Sequence, residues 1–243
     1  MSISVLIVAH NEEKYIKRCL DSIKNQTKKP DEVMLIAHNC SDDTVKIAKE
    51  FSFVKVIEYS GPDGTIYARI KGFELVTGDI VACIDGDSYA SSKWLDYITT
   101  PLHDRSITGT GGMVWFFHGF IKNIWSISFF FLDRYFRPTY HFYFWGANFA
   151  CRAEDYRKVG GLTPLIKLKD ELGLHLLPDD AYLSCALSKI GKVLFVPSAE
   201  VTAHLKYNGI SATRLAKYQD EDRLTLFSYF GFLKPTASKK TLK

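Results

Sequence analysis

The chain has 243 residues and a formal net charge of +4, with 47% hydrophobic and 24% charged residues. This is the composition of an ordinary globular protein, and the length suits one domain with a sizeable core or two small ones. A positive charge this small, without a concentrated basic stripe, is not that of a nucleic-acid-binding protein.

The cysteines and the apolar runs predict the compartment. Five widely spaced cysteines, with no C-x-x-C pair, favour neither a disulfide framework nor a zinc site, so a reducing, cytoplasmic location is expected. No signal peptide is expected, because the apolar run at residues 3–9 is short and lacks a basic start. No run of about 20 uncharged apolar residues predicts a membrane-spanning helix. The basic residues 234–243 are interpreted as a solvated tail, with attraction to an anionic membrane surface as the alternative.

Short apolar runs alternate with helical patterns in the first half of the chain. The apolar runs predict strands at residues 3–9, 33–37, 54–57 and 80–84. Helical periodicity predicts helices over residues 12–26, over residues 45–51 with Ser41 as the cap, and over residues 66–75. This alternation predicts an α/β fold, with an open, mostly parallel sheet and helices on both faces.

Polar side chains follow each of the four predicted strands. In sheets of this kind, ligands bind beyond the carboxyl ends of the strands. The polar residues expected on this rim are His10, Asn11, Glu12, His38, Asn39, Glu58, Asp85 and Asp87. The rim is therefore the predicted binding site.

Asp85-Gly86-Asp87 is the candidate metal site. Two carboxylates one residue apart at a buried strand end repel each other unless a cation shares them. Mg²⁺ or Mn²⁺ binds such carboxylates and keeps positions for water and phosphate oxygens. Gly86 allows the backbone to approach a ligand closely. A solvated turn is the alternative, but the apolar strand directly before Asp85 favours a metal.

Asp179 and Asp180 follow Pro178 at the predicted start of a helix that ends near Ile190. Stabilisation of the helix N-terminus accounts for one of the two carboxylates. The other is left to face a cleft, where it can take the proton of an acceptor hydroxyl group. The residue pattern alone does not assign the two roles.

The remainder of the second half is less regular. Residues 113–149 are dense in aromatic side chains, and three interpretations are open: a core helix and strand under a lid, a segment at a membrane surface, or an acceptor site. Within it, Gly146 and Asn148 permit close approach of a ligand or a strand. His204, after a predicted strand at residues 192–196, is either an ordinary histidine or a third metal or diphosphate contact. A terminal helix is expected over residues 215–230.

In their order and spacing, these motifs resemble glycosyltransferase family 2. The resemblance spans residues 2 to 205. It is carried by Val8-Ala9-His10-Asn11-Glu12, residues 39–44, Gly64, Arg69, Gly78-Asp79-Ile80, Asp85-Gly86-Asp87, Trp94-Leu95, Gly146-Ala147-Asn148, Gly160-Gly161, Asp179-Asp180, Leu183 and Gly191.

The resemblance implies a single domain with the GT-A (Rossmann-like) fold, whose mixed, mostly parallel sheet is flanked by helices. The implied reaction is the inverting transfer of a sugar from a nucleoside diphosphate sugar to a glycan or lipid-linked acceptor. Asp87, with Asp85 nearby, is implied to hold Mn²⁺ or Mg²⁺, and Asp180 matches the catalytic base. The residues expected to contact the sugar donor are Ala9, Asn11, Glu12, His38, Asn39, Arg69, Asp85, Gly86, Asn148 and Asp179.

The same resemblance divides the chain into a sugar-nucleotide-binding half (1–112), an acceptor-binding half (113–210) and a C-terminal helix with a basic tail (211–243). Peripheral contact with the inner face of the membrane is expected, if anywhere, through residues 113–149.

Two positions depart from the family pattern. The family commonly has an aspartate at the end of the second strand, where it binds uracil, and this chain has His38. A neutral imidazole accepts one hydrogen bond but supplies no carboxylate, so the identity of the base is open, with UDP favoured over GDP or another diphosphate. The Gln-x-x-Arg-Trp motif of polymerising members is absent, since Gln219 and Arg223 lack its spacing and its tryptophan. Transfer of a single sugar is therefore expected.

Two other functions fit parts of the pattern. A degenerate nucleotide-binding module without turnover is supported by His38. A sugar nucleotidyltransferase also uses carboxylates at strand ends, but the glycine-rich phosphate loop expected after the first strand is replaced by His10-Asn11-Glu12.

Overall fold

The computed structural model describes residues 1–116, 146–204 and 212–232. Most of the aromatic segment 113–149 and the basic tail lie outside the described residues. Among the described helices, none is both long and apolar enough to cross a membrane.

The described strands form one sheet, in the spatial order β3-β2-β1-β4-β7-β6-β8-β5. The strands are β1 (Ile3–Ala9), β2 (Glu32–His38), β3 (Lys55–Tyr59), β4 (Ile80–Asp85), β5 (Ser88–Ala90), β6 (Ile107–Phe116), β7 (Phe149–Arg152) and β8 (Lys192–Ala203). Strands β1 to β4 pair in parallel, as does β6 with β8, whereas β7 runs antiparallel to both of its neighbours. The mixed, mostly parallel sheet and the α/β class are confirmed.

Helices cover both faces of this sheet. They are α1 (Ile16–Lys24), α2 (Thr44–Lys49), α3 (Thr65–Leu75), α4 (Trp94–Thr99), α5 (Ala153–Lys158), α6 (Thr163–Leu172), α7 (Asp179–Ser188) and α8 (Ala212–Tyr229), with a 3₁₀ turn at Thr100–His103. Alternate residues of the buried strands point to opposite faces. Thus Val5 and Ile7 pack in the core that contains α1 and α4, whereas Leu6 and Val8 pack in the core that contains α3 and α7.

The predicted strands of the first half agree with the structure to within two residues at each end. The predicted Ser41 cap is wrong, because α2 begins at Thr44. The Thr44 amide N–H instead bonds to the Asp42 carboxylate at 3.0 Å, and the Ser41 amide N–H bonds to Asn11 Oδ1 at 2.8 Å. The side chains before α2 therefore tie the first two strand-end loops together.

The predicted late strand at residues 192–196 is longer in the structure, since β8 continues to Ala203. Its second part pairs antiparallel with β5, and Ser88 lies opposite Ala203. This pairing carries the end of β8 to the residues that directly follow β4.

Candidate functional site

A cavity of about 660 Å³ lies at the carboxyl ends of β1, β2 and β4. This volume is in the range of small-molecule sites, and the position is where α/β sheets bind ligands. The described residues that line it are Val8, Ala9, His10, Asn11, Glu12, His38, Asp63, Gly64, Thr65, Ala68, Asp85 and Asp87. The structure therefore brings together Ala9, Asn11, Glu12, His38, Asp85 and Asp87 from the predicted set.

Two asparagines shape the loops at the rim of the cavity. Asn11 and Asn39 have φ values of 55° and 48°, in the left-handed region that asparagine tolerates better than most residues. Asn39 also clamps the next loop, since its amide bonds to the Gly61 backbone at 3.0 and 3.2 Å. Asn39 thus supports the cavity from behind its lining.

His38 ends β2 with its side chain buried. Its ring stacks on Tyr59 at 5.4 Å, and its backbone oxygen lies 2.8 Å from the His10 ring nitrogen Nδ1. The His38 ring atom Nε2 is buried and has no hydrogen-bond partner among the described residues. A buried polar atom on the cavity wall is suited to a hydrogen bond with a ligand.

Only glycine fits between the two carboxylates after β4. A Cβ atom at Gly86 would lie 2.8 Å from the Ala9 Cβ and 3.2 Å from the Val8 oxygen. The Gly86 amide N–H donates to that oxygen at 2.8 Å. This contact holds the β4 turn against the end of β1, so both Asp85 and Asp87 reach the cavity wall.

Arg69 of α3 joins Asp85 to the start of α7. Its guanidinium is 3% exposed and pairs with Asp85 Oδ1 at 2.7 Å and with Asp179 Oδ2. It also donates to the Gly146 oxygen at 2.7 Å. Arg69 does not line the cavity directly, but it fixes two of the carboxylates predicted to act there.

The electrostatics of this cluster follow from burial and from charge pairing. Burial alone would lower the pKa of Arg69, but Asp179 and Asp85 outweigh it and hold that pKa above its ordinary value. Burial raises the pKa of Asp85, and the attraction of Arg69 opposes the rise. Arg69 therefore helps to keep a carboxylate charge at the end of β4.

The two aspartates of α7 differ in their surroundings. Asp179 is 9% exposed and its carboxylate is paired with Arg69. Asp180 is half-buried, and its Oδ2 accepts a hydrogen bond from the Gly146 amide N–H at 3.2 Å. Burial raises the pKa of the Asp180 carboxyl group, and Arg223 of α8 opposes the rise. Asp179 is thus engaged in an ion pair, which favours Asp180 as the proton acceptor.

His204 follows β8 and reaches the residues after β4. Its amide N–H donates to the Asp87 oxygen at 3.3 Å, and its ring stacks on Tyr15 at 4.2 Å. The contact of His204 with Asp87 is thus between backbone atoms, and its role as a metal or diphosphate contact stays a prediction.

Asn148 is fully buried away from the cavity lining. Its Oδ1 accepts from the Trp94 indole N–H at 2.8 Å, and its Nδ2 donates to the backbone oxygens of Met113 and Ala199, both at 2.8 Å. These bonds join α4 to β6 and β8, so the side chain predicted to contact the sugar donor here holds the sheet together.

The oxygen donors at the end of β4 fit a hard divalent cation. Asp85 keeps one oxygen beyond its Arg69 contact, and Asp87 Oδ1 accepts from the Ser88 hydroxyl at 3.0 Å. Within the part of the chain described, no group of three or more His, Cys, Asp or Glu side chains is arranged to hold a metal. Mg²⁺-type ions commonly bind one or two carboxylates and complete their shell with water and substrate phosphates, which suits this pair.

The sequence prediction missed Asp63 and Thr65, which line the cavity at the start of α3. Both residues lie at the start of a helix and not directly after a strand, so they were not among the polar residues predicted at the strand ends. The available signal was Pro62-Asp63-Gly64, a turn composition directly before a helical pattern.

Two solved glycosyltransferases align with this chain. A mannosyltransferase from Pyrobaculum calidifontis, in complex with GDP-Man and Mn²⁺, aligns with a TM-score of 0.70 at 16% identity, covering 93% of this chain and 63% of that one. Glucosyl-3-phosphoglycerate synthase from Mycobacterium tuberculosis, in complex with Mn²⁺, UDP and phosphoglyceric acid, aligns with a TM-score of 0.62 at 18% identity, covering 96% and 80%. The protein therefore has the GT-A fold of glycosyltransferases.

The family profile described as Glycosyl transferase family 2 matches residues 4–160. The chain belongs to glycosyl transferase family 2.

Similar curated proteins match over slightly less than half of the chain. Glycosyltransferase AglE of Haloferax volcanii is 30% identical over 120 residues, which is 47% of this chain and 40% of that protein. The glucosyl-dolichyl phosphate glucuronosyltransferase of the same organism is 28% identical over 120 residues, or 47% of this chain and 38% of that protein. The matched region thus spans well under half of these relatives.

Proposed function

We propose that the protein transfers a single sugar, with inversion, from a nucleoside diphosphate sugar to a glycan or lipid-linked acceptor, with the help of a divalent metal. The observation that carries the proposal is the convergence of Asp85 and Asp87 on a cavity of about 660 Å³ at the ends of three parallel strands. Family membership supports the sugar-transfer chemistry.

In this proposal, the nucleoside lies against the ends of β1 and β2. Ala9, Asn11 and Glu12 line that side of the cavity, and His38 offers its Nε2 to the base. The diphosphate lies toward Asp85 and Asp87, whose two carboxylates would hold Mn²⁺ or Mg²⁺, and His204 is proposed to contact the diphosphate. When bound, the metal supplies Lewis-acid stabilisation of the charge that develops on the leaving diphosphate.

Asp180 is the proposed catalytic base. Its carboxylate takes the proton of the acceptor hydroxyl group as that oxygen forms its bond to the anomeric carbon. The bond from that carbon to the diphosphate oxygen breaks, and the electron pair leaves with the nucleoside diphosphate. Proton transfer of this kind contributes about 10²–10⁴ in rate. Asp179 and Arg69 hold the start of α7 in place for this step.

The proposed acceptor and nucleotide follow from the similar proteins. A lipid-linked acceptor is supported by one relative's name, a glucosyl-dolichyl phosphate glucuronosyltransferase. UDP is the proposed nucleotide, and GDP is its competitor, since the structural neighbours were crystallised with each of them. A membrane contact through residues 113–149 stays a prediction, which co-sedimentation with anionic liposomes tests: no association contradicts it.

Donor hydrolysis tests the proposed function. UDP-glucose and GDP-mannose are incubated with the protein in Mn²⁺ and in EDTA, and the released nucleoside diphosphate is measured. Metal-dependent release is the expected result. Nucleotide binding without release from any nucleotide sugar of a wider panel would contradict the transferase proposal and favour a binding module.

A further inference from the structure

Asp222 of α8 is a buried carboxylate that the proposed reaction does not use, and it is 1% exposed. Its Oδ1 accepts a hydrogen bond from the His175 backbone N–H at 2.9 Å, and its Oδ2 accepts one from the Leu176 backbone N–H at 2.7 Å. A buried carboxylate is costly unless it is hydrogen-bonded, and two backbone N–H groups meet that need. Asp222 therefore holds residues 175–176, which precede α7, through two hydrogen bonds.

The side chain of His175 also contacts Asp222. Its ring nitrogen Nδ1 lies 3.1 Å from Asp222 Oδ1. The opposite side of the contact is covered by Tyr218, whose ring stacks on the His175 ring at 4.3 Å and 8°. Tyr218 and Asp222 are four residues apart, so they lie on the same face of α8. One helix face thus holds both the backbone and the side chain of His175.

The held segment leads directly into Asp179 and Asp180 at the start of α7. The Asp179 amide N–H donates to the Leu177 oxygen at 2.8 Å, and the Tyr182 amide N–H donates to the Pro178 oxygen at 2.9 Å. Both Leu177 and Pro178 are therefore hydrogen-bonded through their backbone oxygens to the first turn of α7. Because only three residues separate Leu176 from Asp180, a displacement of the Leu176 backbone is expected to displace Asp180 as well.

The helix that carries Asp222 is itself fixed against α7. Leu226 and Phe227 of α8 are 0% and 6% exposed. Leu226 belongs to the same core as Ala181 and Leu183 of α7. The ring of Phe230 meets that of Tyr182 edge-on at 5.6 Å. The packing of α8 against α7 thus fixes Asp222 in place, as is required of a residue that positions a catalytic group.

We propose that Asp222 is a positioning residue for sugar transfer, which holds residues 175–176 so that the Asp180 carboxylate stays aligned with the acceptor hydroxyl group. The inference rests on the proposed role of Asp180. If Asp222 only stabilised the fold, its replacement would change the stability of the protein but not its turnover rate. A positioning residue also sets the turnover rate while nucleotide binding, which occurs at the ends of β1, β2 and β4, is unaffected.

The test compares Asp222→Asn with Glu221→Gln. The first keeps the shape of the side chain but replaces one acceptor oxygen with an amide that cannot accept from the backbone. The second removes the same charge from the neighbouring helix position, where Glu221 lies 3.8 Å from the His175 ring and is half exposed. The Glu221→Gln variant keeps both backbone hydrogen bonds, so it is a matched control.

Turnover is measured as Mn²⁺-dependent hydrolysis of UDP-glucose and GDP-mannose, and affinity as the Kd of UDP and GDP. Misplacement of a catalytic group by about 1 Å costs on the order of 100-fold, so Asp222→Asn is expected to lower kcat by roughly 10- to 100-fold. Its nucleotide Kd is expected to match that of Glu221→Gln, whereas its thermal midpoint is expected to be lower, because one buried backbone N–H loses its acceptor. Equal kcat in the two variants, or a parallel loss of kcat and nucleotide affinity, would overturn the proposal.

If Asp222→Asn does not fold, Asp222→Glu makes the same comparison. It keeps the charge and both oxygens but shifts the held segment by one methylene group. A reduced kcat with retained nucleotide affinity is expected, and a wild-type kcat would overturn the proposal.

Amide hydrogen exchange of the wild-type protein separates this proposal from the proposed function. The His175 and Leu176 amides are expected to be as protected as those of α8, and rapid exchange there rules out the contact. A wild-type protein that binds nucleotide but hydrolyses no sugar donor contradicts the transferase proposal, and the exchange result then decides the Asp222 contact on its own.

Discussion

Replacing Arg69 with methionine tests the charge cluster behind the cavity. The substitution keeps a long side chain but removes the guanidinium that pairs with Asp85 and Asp179. Breaking a buried ion pair by removing one partner costs about 3–5 kcal/mol, because it leaves a buried charge uncompensated. The Asp179 side chain is 11% exposed and carries most of this penalty, whereas Asp85 is 29% exposed and adds less because water reaches it.

The loss of stability caused by Arg69→Met is expected to increase with pH. Burial already raises the pKa of Asp85 while Arg69 opposes the rise, so removing Arg69 raises that pKa further. A carboxyl group with a raised pKa in the folded state contributes stability that is present below its unfolded pKa and is lost as the pH rises through its folded pKa. The loss of stability in Arg69→Met is therefore expected to be larger at pH 7 than at pH 5.

Urea unfolding at both pH values measures this, with the intrinsic fluorescence of the four tryptophans, which include the buried Trp94, as the probe. Arg105→Met is the control, since Arg105 is 67% exposed and pairs with Glu154 at the surface. Exposed pairs contribute about 0–1 kcal/mol. A loss in Arg69→Met no greater than that in Arg105→Met, or one that grows on acidification, would refute the reasoning.

Three further changes give distinct results. Asp180→Asn is expected to lower kcat by about 10²–10⁴ with nucleotide affinity unchanged, since it removes the proton acceptor, and an unchanged kcat would exclude Asp180 as the base. Arg223→Gln is expected to move the acid limb of the pH–kcat profile to higher pH, because Arg223 opposes the burial that raises the pKa of Asp180; a shift to lower pH contradicts this. Gly86→Ala is expected to cost about 1–3 kcal/mol in urea unfolding, because the new Cβ overpacks the end of β1, and wild-type stability would contradict the contact.

Strands β1, β2 and β4 were predictable because they are buried on both faces. A strand with both faces covered is apolar throughout, as β1 and β4 are, and its ends then mark the cavity. The positions of Asp85 and Asp87 at the cavity followed from this pattern alone. The family itself was identified from motif order, which no single motif could provide.

Contacts between distant parts of the chain were not predictable from the sequence. Arg69 and Asp179 are 110 residues apart, and nothing in either local pattern indicates that they form a pair. Asn148 follows a small residue among aromatics, which suits a ligand contact and a packing contact equally, and only its three hydrogen bonds distinguish them. Asp222 has the sequence surroundings of a solvated helix face, yet it is buried because the segment before α7 folds over it.

The most direct test of the account is the titration of UDP and GDP into the protein by calorimetry, with and without Mn²⁺. Wild-type protein is expected to bind one of the two nucleotides far more tightly with Mn²⁺, and Asp87→Asn is expected to lose that gain, which for a metal contact is on the order of several kcal/mol. Glu58→Gln is the control, since Glu58 lies near the end of β3, is absent from the cavity lining and pairs with Lys49 at the surface. Metal-independent binding, or an Asp87→Asn variant that binds like Glu58→Gln, would contradict a metal site at the end of β4.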